Sequence, residues 1–122
     1  MKETSLSIGK RIVKDLKNSQ EFNDMFNNRL FPLVAEQGTD YPFVVYRRSS
    51  VNIARNKDIE DDNATLDITV ISNNYRQTVE GIEIVRAALE KDRDIRIETA
   101  DEYYSNDGYI QNLTVSIDVE ND

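Results

Sequence analysis

The acidic side chains are the part of this sequence that could do chemistry. The densest run is Glu60-Asp61-Asp62, and three carboxylates could bind Ca²⁺ or Mg²⁺ if the backbone folded around them. The spacing lacks the Asp-x-Asp-x-Asp-Gly pattern of an EF-hand, and consecutive residues of an extended chain point to alternate sides. We therefore interpret the run as a solvated charged segment and expect no metal ion or other cofactor.

Paired carboxylates could also support glycosidase-like catalysis, which needs two acids held across a cleft with their pKa values pushed apart. The 23 Asp and Glu supply many accidental pairs, but Asp67 and Asp118 fall on the polar sides of their predicted strands. The chain has no His and no Cys, so the usual general base and the thiolate nucleophile are missing. The sequence therefore predicts that the protein is not an enzyme.

The six tyrosines and the Arg47-Arg48 pair could instead bind nucleic acid. Stacking platforms for single strands are interleaved with Lys and Arg, whereas Asp101, Glu102 and Asp107 surround the later tyrosines. Alternation along a strand sends Arg47 and Arg48 to opposite faces, which does not make a phosphate cradle. Fifteen basic and 23 acidic residues give a net charge of −8, which repels phosphate and anionic lipid. The pattern favours tyrosines packed in the core and in interfaces.

Hydrophobic periodicity predicts the elements that must position these residues. Ile8, Ile12 and Leu16 recur every fourth residue and indicate a first helix, and Ser19 is typical of the N-cap of a second. The predicted helices cover about 5–18, 20–26 and 74–91, and the predicted strands about 29–34, 43–50, 64–72, 94–104 and 109–119. Most strands are apolar on one face only. This predicts an α+β fold in which a single mostly antiparallel β-sheet carries its helices on one face, as one domain over residues 1–122.

The helix predicted at 74–91 is the main helix, and its residues suggest contacts on two sides. Ile84 points away from its apolar arc, while Gly81 and Ala88 form a small-residue flank that another element could approach closely. The arc itself comprises Tyr75, Val79, Ile82 and Leu89.

Two polar segments interrupt the strands. Ser105-Asn106-Asp107-Gly108 predicts a hairpin turn, because Asp-Gly tolerates positive φ. The stretch from Val51 to Asp62 is mostly charged and predicts an exposed loop or arm.

The segment from Arg29 to Arg47 carries a family resemblance. It reads Arg29-Leu30-Phe31-Pro32-Leu33-Val34-Ala35-Glu36-Gln37-Gly38 and then, after a short turn, Tyr41-Pro42-Phe43-Val44-Val45-Tyr46-Arg47. This resembles the signature stretch of the small tail-completion, or tail-terminator, proteins of long-tailed bacteriophages and their prophages. Residues 64–70, 75–89 and 113–119 continue in register with the central strand, the helix and the final strand of that family.

The resemblance implies a non-enzymatic protein that forms a ring, commonly of six copies. Such a ring caps the tail tube and joins it to the head connector. The implied partners are further copies of the chain, the major tail tube protein and a head-completion or connector protein. DNA would only pass through the lumen without specific binding, and no membrane is involved. The implied location is the virion tail, and the host bacterial cytoplasm during assembly or as a prophage product.

Chain length is compatible with such a ring. A globule of this size has a diameter of roughly 35 Å, and six touching spheres leave a central hole about one sphere wide, enough for duplex DNA. Ring closure needs a heterologous interface, in which each subunit presents two different patches. We predict that this interface uses the charged arm, the polar face of the sheet and an exposed Ile84. The residues concerned are Asn52, Arg55, Lys57, Asp58, Glu60, Asp61, Asp62, Thr65, Asp67, Ile84, Thr114 and Ser116.

Other functions remain open at this point. The chain could be another head-tail connector or minor tail component with the same fold. It could also be a small acidic inhibitor that mimics DNA, which the net charge permits, although no paired rows of carboxylates are visible. A carboxylate enzyme is the third alternative.

Overall fold

The computed structural model describes residues 3–54 and 61–120 and shows an α+β fold of two layers. Its elements are α1 (Gly9–Lys17), α2 (Gln20–Phe26), β1 (Leu30–Pro32), β2 (Phe43–Asn52), β3 (Asp61–Ser72), α3 (Tyr75–Glu90), β4 (Ile95–Ser105) and β5 (Gly108–Glu120). The strands form one sheet in the order β1-β2-β3-β5-β4, in which only the β1–β2 pair is parallel. The described helices pack on one face of that sheet, which confirms the predicted fold class.

The core lies between the helices and one face of the sheet. Along β3 the residues at 64, 66, 68 and 70 are fully buried, while their neighbours at 65, 67 and 69 point to the other face. β5 repeats this alternation with Leu113, Val115 and Ile117. Strands with one apolar face bury that face under a second layer. The predicted alternation of both strands is therefore confirmed.

The two N-terminal helices cover one end of the core. Ile8, Ile12 and Leu16 are buried on the inner side of α1, as their spacing predicts. Ser19 is the N-cap of α2, because its hydroxyl accepts a hydrogen bond from the backbone N–H of Phe22 at 3.2 Å. The rings of Phe22 and Phe26 are buried against each other, with centroids 4.7 Å apart. Capping and apolar spacing thus define α2 as the sequence indicates.

The start of α1 differs from the prediction. The helix begins at Gly9, and residues 5–8 form turns instead of a first helical turn. Thr4 and Ser7 explain the difference, because the Thr4 N–H donates to the Ser7 hydroxyl at 3.0 Å and the Ser7 N–H to the Thr4 carbonyl at 3.1 Å. Short polar side chains that bond to nearby backbone favour turns over helix.

The strands around the charged stretch are longer than predicted. β2 continues to Asn52 and β3 begins at Asp61, because the pairs Val51↔Ala64 and Asn52↔Asn63 extend the ladder beyond the predicted ends. Only residues 53–60 separate the two strands, and residues 55–60 lie outside the described part of the chain. β1 is shorter than predicted and ends at Pro32, since Leu33 has a φ of +66° and turns the chain away from the sheet edge.

The inward side of α3 was predicted wrongly. Its buried residues are Thr78, Gly81, Val85, Ala88 and Leu89, an arc rotated by roughly 80° from the predicted one at 100° per residue. Gly81 and Ala88 allow this close approach, since a Cβ on Gly81 would lie 2.9 Å from Val70 Cγ1 and 3.0 Å from Phe26 Cζ. Ile84 is consequently half-buried and packs against the core, so its predicted exposure is wrong.

The β4–β5 hairpin forms at the predicted place, but the two residues with positive φ differ from those predicted. Ser105 pairs with Gly108, and the two loop residues, Asn106 and Asp107, have φ angles of 52° and 63°. Asn and Asp tolerate left-handed backbone, which suits a two-residue hairpin. The positive φ angles therefore fall on Asn-Asp and not on Asp-Gly.

Candidate assembly surface

The face of the sheet opposite the helices is lined mainly by polar side chains of β3 and β5. We call it the open face; it carries the odd-numbered side chains of β3, the even-numbered side chains of β5 from position 110 onwards, and the side chains of β2 and β4 that lie beside them. By strand register, its rows run from Asp61 beside Glu120 at one end to Ile71 beside Ile110 at the other. Acidic, uncharged polar and apolar side chains follow one another along this direction.

The apolar end of the open face is a groove. Because β1 and β2 are parallel, the connection of residues 33–42 must run back from the end of β1 to the start of β2. This connection forms one wall of the groove. Phe43, Val45 and Ile71 lie in its floor, and Tyr103 stands on the opposite wall. The groove has a volume of about 720 Å³.

Exposed apolar side chains concentrate at this end of the molecule. Among the described residues nine large hydrophobic side chains are exposed, and seven of them belong to residues 33–42, the start of α3 or the β4–β5 hairpin. Those seven are Leu33, Val34, Tyr41, Tyr75, Tyr103, Tyr104 and Tyr109. Clustered apolar exposure of this kind marks interaction sites in soluble proteins.

The middle of the open face holds a hydrogen-bonded polar cluster. Asp67 is at its centre, where its Oδ1 accepts a hydrogen bond from the Thr114 hydroxyl at 2.8 Å and its Oδ2 lies 3.4 Å from Arg47 Nη2. Thr69 donates to the Asn112 side-chain oxygen at 2.8 Å. These partners hold the side chains in fixed positions, so the face offers an ordered polar surface.

The acidic end of the open face has a like-charge pair. Asp61 and Glu120 stand directly opposite each other on β3 and β5, and both are exposed. Next along the face, Asp118 accepts from Arg96 Nη1 at 2.9 Å and from the Asn63 side-chain amide at 2.8 Å. The hydrogen bonds from Arg96 and then from Asn63 hold the pKa of Asp118 below its usual range. Like charges directly opposite on neighbouring strands are destabilising, so the Asp61–Glu120 pair is unfavourable without a further partner.

Several predicted interface residues meet on the open face. Thr65, Asp67 and Thr114 are half-buried there, and Asn52 and Asp61 are exposed at its acidic end. Ser116 lies on the same face but is only 4% exposed, and its hydroxyl donates to Glu98 at the β-bulge of β4. The remaining arm residues Arg55, Lys57, Asp58 and Glu60 lie outside the described residues.

Asp62 was predicted to lie in the exposed arm, but it is buried. It is 7% exposed and points to the helical side of β3, where it accepts from the Ser5 hydroxyl at 2.7 Å and from the Ala54 N–H at 2.9 Å. The Ala54 N–H and then the Ser5 hydroxyl hold the pKa of Asp62 below its usual range. The bonds to Ser5 and Ala54 anchor the N-terminal segment and the end of β2 to this carboxylate, so the predicted exposure of Asp62 is wrong.

A charged cluster between α1 and the α3–β4 turn was missed from the sequence. Arg11 donates from Nε and Nη2 to the two oxygens of Asp92, at 2.7 and 2.6 Å, and also contacts Asp94 at 2.8 Å. Asp15 Oδ2 is buried beside this pair and accepts no hydrogen bond within the described residues. Desolvation, and then a hydrogen bond to Asp92 and its negative charge, raise the pKa of Asp15 to about 7. The neutral form of Asp15 can donate its proton to Asp92.

The raised pKa of Asp15 leads us to expect a specific pH dependence of stability. The folded-state pKa of Asp15 lies above the ordinary value of 3.8, although the charges of Arg11 and Lys14 oppose the shift. The stabilisation that its neutral form provides is therefore complete below pH 3.8 and is lost as the pH rises through about 7. We expect the free energy of unfolding to fall by about 1–2 kcal/mol between about pH 5 and about pH 8, after allowance for solvent screening. In Asp15→Asn the fall should be smaller, because the amide donates to Asp92 at every pH.

Urea unfolding at a series of pH values would measure this effect. Asp40→Asn, which removes an exposed carboxylate away from the cluster, serves as the control and should keep the wild-type pH dependence. Equal pH dependence in wild type and Asp15→Asn would contradict the prediction.

Two features that would indicate other functions, a metal-binding cluster and a membrane-spanning helix, are not found in the described residues. In residues 3–54 and 61–120, no group of three or more Asp and Glu side chains is arranged to hold a metal ion. Within the same ranges no helix has the length and apolar character needed to span a membrane.

Comparison with solved structures identifies the fold. A chain from the virion of a native gene transfer agent particle superimposes with a TM-score of 0.71 at 13% sequence identity, over 89% of this chain and 91% of that one. The gp17 protein of bacteriophage SPP1 superimposes with a TM-score of 0.63 at 18% identity, over 96% of this chain and 91% of that one. No protein-family model matches the chain, and no curated protein matches it significantly. The fold is thus one that occurs in a virion particle and in a phage protein.

Proposed function

We propose that this chain is a non-enzymatic structural subunit of a phage or phage-like particle. It forms a ring that terminates the tail tube and joins it to the head connector. The observation that carries the proposal is the fold shared with a chain of the gene transfer agent virion over about nine-tenths of both chains. The resemblance of residues 29–47 to the tail-completion signature supports the same role.

The distribution of surfaces supports assembly into a ring. One side of the molecule is the helical layer and the other is the open face, so the two sides differ in shape and in chemistry. A subunit with two unlike faces can contact identical neighbours head to tail, and this arrangement closes into a ring when the rotation between neighbours fits. A net charge of −8 on every copy gives an assembled ring an overall negative field, which would let DNA slide through without sticking.

Deletion of the gene from its phage or prophage genome tests the proposed role. We expect particles whose tails lack a normal end and do not join heads, with normal particles restored by a plasmid-borne copy. Negative-stain imaging of purified tail tubes mixed with the protein should show annuli at the tube ends. Tails that end normally and join heads after the deletion would contradict the proposal.

Immunogold labelling separates the terminator role from that of another connector or minor tail component. An antibody against the chain should label one end of each tail, at the junction with the head. Label along the tube, at the distal tip or only on heads would replace the proposed role with the corresponding alternative.

A further inference from the structure

Five cationic side chains form an exposed patch on the helical layer. Lys10, Lys14 and Lys17 of α1 follow one another at spacings of four and three residues, so they share one side of the helix. At 100° per residue this side lies roughly opposite the buried stripe that is centred on Ile12, so the lysines point away from the sheet. Lys91 and Arg93 line the same hollow as Lys14. We call these five residues the basic patch.

The basic patch holds every described Lys or Arg that lacks an acceptor. None of its five side chains makes a hydrogen bond or an ion pair within residues 3–54 and 61–120. Every other Lys or Arg in those ranges has a carboxylate or a backbone carbonyl as its acceptor. These are Arg11, Arg29, Arg47, Arg48, Arg76, Arg86 and Arg96. Within this part of the chain, unpaired positive charge is therefore gathered in one place and not scattered over the surface.

The open face carries the complementary charge. Counted over the described residues, it has six carboxylates against two guanidinium groups, those of Arg47 and Arg96. The six carboxylates belong to Asp61, Asp67, Glu98, Asp101, Asp118 and Glu120. Asp61 and Glu120 stand opposite each other without a cation among the described residues, a pairing that a positively charged neighbour would relieve.

We propose that the basic patch of one copy docks on the open face of the next copy in the ring. This inference rests on the proposed function and names the two surfaces that meet. The basic patch lies on the helical layer and the open face lies on the other side of the sheet, so one subunit can use both surfaces at once. The contact is heterologous and propagates from copy to copy, as ring closure requires. Opposite potentials across such an interface fix its register and exclude wrong partners.

Charge reversal on either surface tests the docking. Lys14→Glu with Lys17→Glu reverses the basic patch, and Asp101→Lys with Glu120→Lys reverses the open face. All four side chains are exposed. Arg76→Glu with Arg86→Glu is the matched control, because it reverses two exposed cations of α3 outside the patch and changes the net charge as much as the basic-patch variant. Circular dichroism and thermal unfolding would establish that each variant folds.

Each reversed variant alone should assemble about 100-fold more weakly than wild type, because like charges then face each other. An equimolar mixture of the two variants should assemble again, since the reversed basic patch of one now fits the reversed open face of the other. The control should assemble as wild type does. Self-association would be followed by analytical ultracentrifugation at several concentrations, and annuli at tube ends would be counted in negative stain. Raising the salt concentration should weaken wild-type assembly.

The outcomes separate this inference from the proposed function. Annuli of both reversed variants at wild-type frequency would overturn the docking while leaving the ring itself in place. Loss of assembly without recovery in the mixture would also overturn it, because the basic patch would then serve another partner, such as an acidic tube protein or DNA. Absence of wild-type annuli on tail tubes would instead refute the proposed function.

Discussion

Replacing Phe26 with alanine is expected to lower the free energy of unfolding by about 3–5 kcal/mol. The Phe26 ring is fully buried, packs on Phe22 and lies against Gly81 of α3, where a Cβ would come within 3.0 Å of its Cζ. The change therefore removes a buried contact between α2 and the main helix, and the cavity cannot close without moving an element. Urea unfolding followed by circular dichroism would measure the loss.

Leu6→Ala is the control for the Phe26 experiment. Leu6 is an exposed apolar residue, and its carbonyl, which accepts from Arg48, is kept in the variant. We expect a change within about 0.5 kcal/mol. A loss below about 1 kcal/mol for Phe26→Ala would mean that α2 does not pack on α3 as described.

Replacing Asp92 with alanine is expected to cost about 2–3 kcal/mol near neutral pH. Of the three carboxylates that pair with Arg11, Asp92 is the most buried, with 10% of its side chain exposed, and it receives two short hydrogen bonds from the guanidinium. Its loss leaves Arg11 with Asp94, which is 66% exposed, and with Glu3 at 3.4 Å. The connection between α1 and the turn before β4 is then much weaker.

Asp94→Ala is the matched control, because it removes a second carboxylate from the same guanidinium. Since Asp94 is mostly exposed, we expect a cost of less than about 1 kcal/mol. Equal costs for the two variants would contradict the argument that burial decides the strength of these ion pairs.

The cost of Asp92→Ala should also depend on pH. Burial acts to raise the pKa of Asp92, but hydrogen bonds from Arg11, Asp15 and the Asp94 N–H lower it to about 2. A lowered pKa means that the contribution is complete above the ordinary value of 3.8 and disappears as the pH falls through about 2. The difference in stability between wild type and variant should therefore shrink in strong acid.

The periodic elements could be predicted from the sequence because their signals are local. The fourfold spacing in α1, the Ser19 cap of α2 and the alternation in β3 and β5 depend only on residues a few positions apart. Together they were enough to predict an α+β sheet with helices on one face, and therefore a polar open face with Thr65, Asp67 and Thr114 on it.

Other features could not be predicted because they depend on distant residues. The side of α3 that faces the core is decided by the close packing of Gly81 against Val70 of β3 and Phe26 of α2. The residues of α3 alone do not show this, so Ile84 was placed wrongly. Asp62 belongs to a charged run by composition, yet Ser5 and Ala54 bind it in the folded chain.

The two-layer architecture, the negative charge and the positions of the helices and strands follow from the amino-acid sequence alone, because composition, spacing and capping can be read from the chain itself. Which charges find partners depends instead on how the elements pack. Arg11 and Asp92 are 81 residues apart in the chain and meet only when α1 packs beside the end of α3. The same packing leaves the lysines of α1 without acceptors among residues 3–54 and 61–120. No periodicity could have shown this, because ion pairs depend on distances in space.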